Sequence, residues 1–270
     1  MSGVSKPHFF RAEQIIHHSQ RSTIYRARDV CTGHPVVVKR SDRVVGEMSN
    51  ILGAMRSGCQ LTQRPYIREP FSAARLDGGS DRVGSGLMIA LEEYEPVDEA
   101  EWTRERGDEE TLELMRPFFR AVAELHVKTG MVHCDIKPAN FVSDKTGNNK
   151  LLIDFELAVP DGRLLGKVLG TLAYVAPETM AVRQAKFPAD SWALGVMLYQ
   201  ACTGRFHPYG QDVTAKDLRE KAYRPEEMWP REDAPLCSAV CSRYLEKNPL
   251  SRPWPGEFET VIEWARSKFD

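Results

Sequence analysis

The sequence predicts an α+β fold in which a small strand-rich part with one helix precedes a larger, mainly helical part. Two observations carry this. Before Tyr94 the β-branched and aromatic residues fall in short runs between polar turns, most clearly in Pro35-Val36-Val37-Val38-Lys39. From Asp98 onward apolar residues recur at three- and four-residue spacing, as in Leu112, Met115, Phe118, Phe119, Val122 and Leu125, with His126 on the same buried stripe. At 270 residues the chain can form one large domain or two small lobes that share a cleft.

Taken in order, Phe9 to His17 and Ile24 to Arg28 are expected as two strands around a polar tip. Asp29 to His34 is a turn in which Gly33 can take positive φ. Pro35 to Lys39 follows as a strand, and Ser41 or Asp42 is placed to cap a helix running to Met55. Further strands are expected at Tyr66 to Ala73 and Leu87 to Tyr94. The polar, Gly-rich stretch Leu76 to Gly86 between them is a loop and not a phosphate cradle, because no helix start follows it. Helices are expected over Thr111 to Val127 and Pro188 to Gly204, then near Ala215 to Ala222, Pro235 to Lys247 and Pro255 to Lys268.

Composition narrows the function. Hydrophobic residues make up 42% and charged residues 27%, with a net charge of -2, so no strong field favours nucleic acid or a membrane surface. No apolar run approaches the length of a membrane span. The first residues lack the apolar core of a signal peptide and the Met-Gly start of a myristoylation site. The chain is expected to be all domain, with no tail left over for targeting or docking. The six cysteines form no CxxC pair, which suits reduced thiols in an intracellular compartment, cytoplasmic or nuclear. Cys237 and Cys241, four apart on a helix, are expected to face the core.

The chemistry concentrates in Met131-Val132-His133-Cys134-Asp135-Ile136-Lys137-Pro138-Ala139-Asn140-Phe141. Fourteen residues past Asn140 stands Asp154, at the end of the apolar run Leu151-Leu152-Ile153. A loop with Asp, Lys and Asn beside a strand that delivers a second Asp suits phosphoryl transfer. One carboxylate can orient a hydroxyl nucleophile, while the other, with the amide, holds a divalent cation on nucleotide phosphates.

These residues resemble the catalytic loop and metal-binding turn of the protein kinase family. Gly170-Thr171-Leu172-Ala173-Tyr174-Val175-Ala176-Pro177-Glu178 is similar to the end of a kinase activation segment. Asp190-Ser191-Trp192-Ala193-Leu194-Gly195 is similar to the helix whose Asp holds the catalytic loop, and Arg252 is placed to pair with Glu178. The resemblance implies the two-lobed kinase fold over 1–270, with an N-lobe at 1–91, a hinge at 92–97 and a C-lobe at 98–270. It implies Asp135 as catalytic base, Lys137 as the cation on the transferring phosphate, and Asn140 and Asp154 as metal ligands. Thr171 would contact the catalytic loop, and this residue with Lys137 indicates the serine/threonine form. Lys39 resembles the strand lysine that holds the α- and β-phosphates, with Glu47 as its partner although Gly46 weakens that helix. Leu91 and Glu92 are assigned to the nucleotide. The implied cofactors are ATP and Mg2+, with Mn2+ as the other ion, and the implied partner is a protein bearing a Ser or Thr acceptor.

The chain departs from the family in four places. The three glycines of the phosphate loop fall on His17, Ser19 and Ser22, which are assigned to the nucleotide in their stead. Glu156 takes the place of the glycine after Asp154 and Phe155. Cys134 replaces the arginine that receives a phosphorylated activation loop, and no Ser, Thr or Tyr lies between Asp154 and Thr171. Control by activation-loop phosphorylation is therefore not expected, and Arg163 and Lys167 are the charged residues left to hold that loop. Control would rest on abundance, on a regulatory protein partner or on the helix bearing Glu47. Glu92, Glu93, Glu95, Asp98, Glu99 and Glu101 form an acidic stretch that could attract basic peptides, but a solvated face explains them as well. The competing readings are a pseudokinase serving as a binding or scaffolding module, and phosphotransfer to a small molecule.

Overall fold

The computed structural model describes residues 9–19, 22–60, 62–66, 70–72, 76–77, 87–97, 102, 104–144, 146–147, 149–221, 224–229 and 232–269. The chain divides into two compact units. The first comprises Met1–Arg56 and Gln63–Tyr94, and the second Ser57–Thr62 and Glu95–Asp270. The division falls inside the expected hinge, after Tyr94. The segment Ser57–Thr62 joins the second unit because the Gln60 amide donates to Glu124 Oε1 at 2.7 Å and Thr62 bridges to Leu152.

The first unit is a sheet with one helix. Its strands are β1 (Phe10–His18), β2 (Ser22–Asp29), β3 (Pro35–Ser41), β4 (Phe71–Ser72), β5 (Leu76–Asp77) and β6 (Leu87–Glu92), in the order β4-β6-β3-β2-β1-β5. Alternation puts Tyr25, Ala27, Val36, Val38, Met88 and Ala90 on one buried face with Phe10. The turn after β2 is held by Asp29, whose Oδ1 accepts the Cys31 and Thr32 amides at 2.8 and 3.0 Å. Gly33 takes φ +71°, which needs glycine.

Helix α1 (Val44–Arg56) begins later than the expected cap. Ser41 still belongs to β3, and its hydroxyl accepts the Arg43 amide at 3.2 Å before the first helical bond, Glu47 N–H to Arg43 O, forms. Val44, Glu47, Met48, Ile51 and Ala54 make its buried stripe. Of the strand expected over Tyr66 to Ala73, Phe71–Ser72 is observed; residues 67–69 and 73 lie outside the described residues, as do 78–86 of the Gly-rich loop.

The second unit is built on α2 (Asp108–Thr129), a 22-residue helix that ends on Gly130 in the left-handed region. Behind it run the short strands β7 (Glu95–Pro96), β8 (Met131–Val132), β9 (Phe141–Ser143), β10 (Lys150–Leu152) and β11 (Val159–Pro160). The helices α3 (Pro177–Val182), α4 (Phe187–Thr203), α5 (Ala215–Glu220), α6 (Pro225–Met228), α7 (Pro235–Tyr244) and α8 (Phe258–Arg266) follow. Helix α4 is buried almost all round, as its nearly uninterrupted apolar sequence requires. Gly195 on it is needed, since a Cβ there would lie 2.8 Å from Tyr244 Cβ. Aromatic packing ties α2 to its neighbours: Phe118 meets Phe141 edge-on at 4.8 Å, and Phe119 stacks on Phe258 at 3.9 Å. Among the described residues, no helix is long and apolar enough to cross a membrane.

Candidate active site

In the helical unit, strand β8 pairs antiparallel with β11 and delivers the loop 133–140 from a buried start. That loop is held from below by one carboxylate. Asp190 Oδ2 accepts the His133 amide at 2.8 Å, and Oδ1 accepts the Cys134 amide at 3.1 Å. His126 Nε2 lies 2.9 Å from Asp190 Oδ2. Because Trp254 Nε1, which can only donate, reaches His126 Nδ1 at 3.3 Å, the ring proton sits on Nε2 and is donated to Asp190. His133 Nε2 bonds the Ile153 carbonyl at 3.0 Å, joining the loop to the segment that carries Asp154.

On this base Asp135, Lys137, Asn140 and Thr171 meet. Lys137 Nζ lies 2.8 Å from both Asp135 Oδ2 and Thr171 Oγ1. The Thr171 amide and hydroxyl both donate to Asp135 Oδ1, at 2.8 and 2.9 Å. Asn140 Nδ2 donates to the Asp135 carbonyl at 2.7 Å and to Oδ2 at 3.0 Å. Burial acts to raise the Asp135 pKa, but the bond and charge of Lys137 and the bond from Thr171 outweigh it, leaving it below the usual carboxylate value. Asp135 is thus an anion at neutral pH, as a proton acceptor must be.

Gly170 lets Thr171 come this close. At φ +91° its Cβ position would be 2.3 Å from the Cys134 carbonyl oxygen, so no side chain fits. Cys134 itself takes φ 68°, a strained backbone for a non-glycine residue beside the catalytic candidates. Its thiol pKa is pushed far up by burial and by the Asp190 and Asp135 carboxylates, which makes it an inert thiol.

Asp154 also lies in the left-handed region, at φ 62° and ψ 65°, and opens the turn Phe155–Leu157. Phe155 is fully buried and packs edge-on against His133 at 5.3 Å. Glu156 follows within that 3-10 turn, so the glutamate is accommodated by ordinary helical backbone, while the left-handed residue of this turn is Asp154. The Ile153 amide donates to the Asn140 carbonyl at 3.0 Å, which couples the two expected metal ligands through the chain. Both amide hydrogens of Asn140 are engaged by Asp135, so Oδ1 is the donor it keeps. Together with the Asp154 carboxylate this is a hard oxygen set that fits Mg2+.

In the sheet unit, Lys39 Nζ and Glu47 Oε2 are 2.8 Å apart with side chains 5% and 1% exposed. One turn of α1 separates Glu47 from the strand end, so Gly46 does not prevent the pair. Leu91 is buried, and the Glu92 amide donates to the Arg64 carbonyl while its own carbonyl accepts Gln63 Nε2, both at 2.9 Å. His17 is exposed at the end of β1. Ser19 and Ser22 face each other: the Ser19 amide donates to Ser22 O at 2.9 Å, and the Ser22 amide to Ser19 Oγ at 3.1 Å. These amides, the natural phosphate donors of such a turn, are spent on closing the hairpin.

Two residues of the loop's support escaped the sequence reading. The period of α2 put His126 on the buried stripe but named no partner; a buried histidine needs one, and that need was the available signal. Trp254 gave no signal at all, since its partner lies 128 positions away. The distant pair Arg252 and Glu178 is present as a two-pronged contact at 2.6 and 3.1 Å.

Residues 82–260 match the protein kinase domain family, and the chain belongs to it. Its architecture is the family's two-lobed α+β fold. The chain is similar to the serine/threonine-protein kinase pkn3 of Myxococcus xanthus, with 26% identity over 92% of this chain and 48% of that protein. It is similar to CBL-interacting protein kinase 19 of Oryza sativa subsp. japonica, 26% identical over 88% of this chain and 47% of the relative. The serine/threonine-protein kinase PknL of Mycobacterium tuberculosis is 30% identical over 68% of this chain and 46% of its own length. The chain spans about half the length of these curated relatives.

Proposed function

We propose that this chain is a serine/threonine protein kinase domain that transfers the γ-phosphate of Mg-ATP to Ser or Thr hydroxyls of protein substrates. The observation that carries the reading is the buried, ionised Asp135 held among Lys137, Asn140 and Thr171. Asp135 accepts the acceptor hydroxyl's proton, Lys137 balances charge on the moving phosphoryl group, and Thr171 keeps both in register. Asn140 Oδ1 and Asp154 would hold Mg2+, or Mn2+ on the same donors, and the bound cation would supply charge neutralisation at the phosphate oxygens. Lys39, fixed by Glu47, binds the α- and β-phosphates, with His17, Ser19, Ser22, Leu91 and Glu92 as the remaining nucleotide contacts. Ser19 and Ser22 would have to exchange their mutual bonds for phosphate to serve in this way.

Control does not run through activation-loop phosphorylation in this reading. The Thr171 hydroxyl is already held by Asp135 and Lys137, and the loop before it has no acceptor. Full dependence of activity on phosphorylated Thr171 would contradict this. A regulatory protein acting on α1 is the expected means of control. The six free cysteines suit a reducing intracellular compartment, cytoplasmic or nuclear.

The test is transfer of labelled γ-phosphate to the chain itself and to a mixed protein substrate, with Asp135→Asn beside the wild type. Label on Ser or Thr that falls at least about a hundredfold in the variant is the expected result. No transfer by the folded wild type to several substrates, with Mg2+ or Mn2+, would favour the second reading, a binding or scaffolding pseudokinase. The self-closed Ser19–Ser22 hairpin and Glu156 are the observations on that side.

A further inference from the structure

The start of the activation segment is held mainly by backbone, and its cations Arg163 and Lys167 take no part. The Gly162 amide donates to Ala185 O at 2.8 Å, the Ala185 amide to Arg163 O at 2.9 Å, and the Leu165 amide to Arg183 O at 2.8 Å. Gln184 Nε2 adds a bond to Gly162 O at 2.8 Å, and Asp161 Oδ1 accepts the Phe187 amide at 3.0 Å. This short ladder fixes 161–165 against 183–187. It leaves Arg163 and Lys167, the residues expected to hold the loop, with no such role.

Arg163, Lys167 and Arg183 are instead exposed, and among the described residues none of them makes an ion pair. The ladder sets Arg163 opposite Ala185 and Leu165 opposite Arg183, so the two arginines sit on opposite strands, one row to either side of the Leu164–Gln184 bridge. Lys167 stands four residues before Thr171, within about 14 Å of it at full extension. The carboxylates in the same stretch are committed: Asp161 to the Phe187 amide and Lys186, and Glu178 to Arg252. A surface of uncompensated positive charge, two of its three cations on a backbone held by the ladder, therefore stands on the segment leading to the residue that touches Asp135.

The opposite charge preference finds less support. Of the described acids in the stretch that could attract basic peptides, Glu92 accepts the Tyr94 hydroxyl at 2.8 Å and Glu93 is paired with Arg26 at 2.6 Å, which leaves Glu95 as the exposed one. Residues 98, 99 and 101 lie outside the described residues.

We infer that Arg163, Lys167 and Arg183 select protein substrates whose acceptor Ser or Thr is flanked by Asp or Glu. This rests on the kinase reading above and assigns its substrate class. The experiment compares two peptides with the same acceptor core, one flanked by glutamates and one by lysines, as substrates of the full chain at low salt. The acidic peptide is expected to show at least about a tenfold higher kcat/KM, mainly through KM, with the ratio shrinking as salt rises. In Arg163→Gln/Lys167→Gln/Arg183→Gln the ratio collapses towards unity. Lys167→Glu alone, on an exposed side chain, lowers it about threefold. Equal use of both peptides by the wild type, or a ratio unchanged in the triple variant, overturns the inference. Binding of the same two peptides, dye-labelled and followed by fluorescence anisotropy, separates the two readings. Absent transfer to either peptide counts against kinase activity, whereas absent preference in binding counts against the cationic surface.

Discussion

The loop 133–140 and the hairpin 17–22 are both short turns to which the same chemistry assigns a role, and they are built in opposite ways. In the loop, His133, Asp135 and Asn140 are buried; His133 and Asp135 are held from elsewhere in the unit, by Ile153 and Thr171, and Asn140 is held by Asp135. Among the described residues of the hairpin, His17, His18 and Ser19 are exposed, Ser22 is half-buried, and Ser19 and Ser22 bond each other. Burial forces polar groups to find partners, so the loop's geometry is over-determined. An exposed turn can close on itself at little cost, and its bonds are exchangeable with water or with a ligand. The residues of proton transfer are thus rigid by construction, as is the buried Lys39, while Ser19 and Ser22 are not.

Removing the anchor of the loop should break that contrast most severely. Asp190→Ala leaves the His133 and Cys134 amides and His126 Nε2 without their buried acceptor. Transfer is expected to fall about a hundredfold or more, with a loss of stability on the order of 3 kcal/mol. Thermal unfolding and single-turnover transfer measure the two. A variant that keeps full turnover would show that the loop holds its shape without Asp190.

Next in size is the Lys39–Glu47 pair. Glu47→Leu removes the carboxylate 2.8 Å from a buried ammonium and is expected to cost about 3 kcal/mol. The double variant Lys39→Met/Glu47→Leu replaces both charges with apolar groups and should recover most of that stability in denaturant titration, without recovering transfer. Failure to recover would mean that the pair is itself a net source of stability, and that the sheet unit shares the loop's dependence on buried polar contacts. Gly170→Ala comes third. Its methyl group would meet the Cys134 carbonyl and displace Thr171, and a loss of about tenfold in kcat with a smaller change in KM is the expected kinetic result.

Much of this was legible in the residues themselves, for physical reasons. β3 announces itself by three successive valines, and α2 by an apolar stripe too long to arise in a strand. The loop 133–140 could be found because its chemistry needs particular residue types at close spacing. What stayed hidden depends on distant partners. The strand pair β8 and β11 is two residues deep and exists only because segments far apart in sequence meet, so no local period marks it. Ser41 is a good helix cap by type, yet pairing of β3 with β2 through Ser22 keeps it in the strand. Arg163 and Lys167 drew attention as charges available to hold a loop, but backbone groups, which every residue carries, did that work.

The smallest effect is expected in the hairpin, and it tests the contrast from the other side. Ser19→Gly/Ser22→Gly removes the hydroxyl that now holds the Ser22 amide. It also lets the backbone take conformations in which amides turn outward to phosphate. Stability should fall by about 1 kcal/mol per glycine or less, because the turn is exposed and closed by few bonds. The KM for ATP should fall a few-fold while kcat changes little, since the proton-transfer residues lie in the other unit. An unchanged KM would mean that Ser19 and Ser22 already exchange their mutual bonds for phosphate in the working enzyme. A rise in kcat from an undetectable level would instead show that the closed hairpin alone had silenced an otherwise complete catalytic loop.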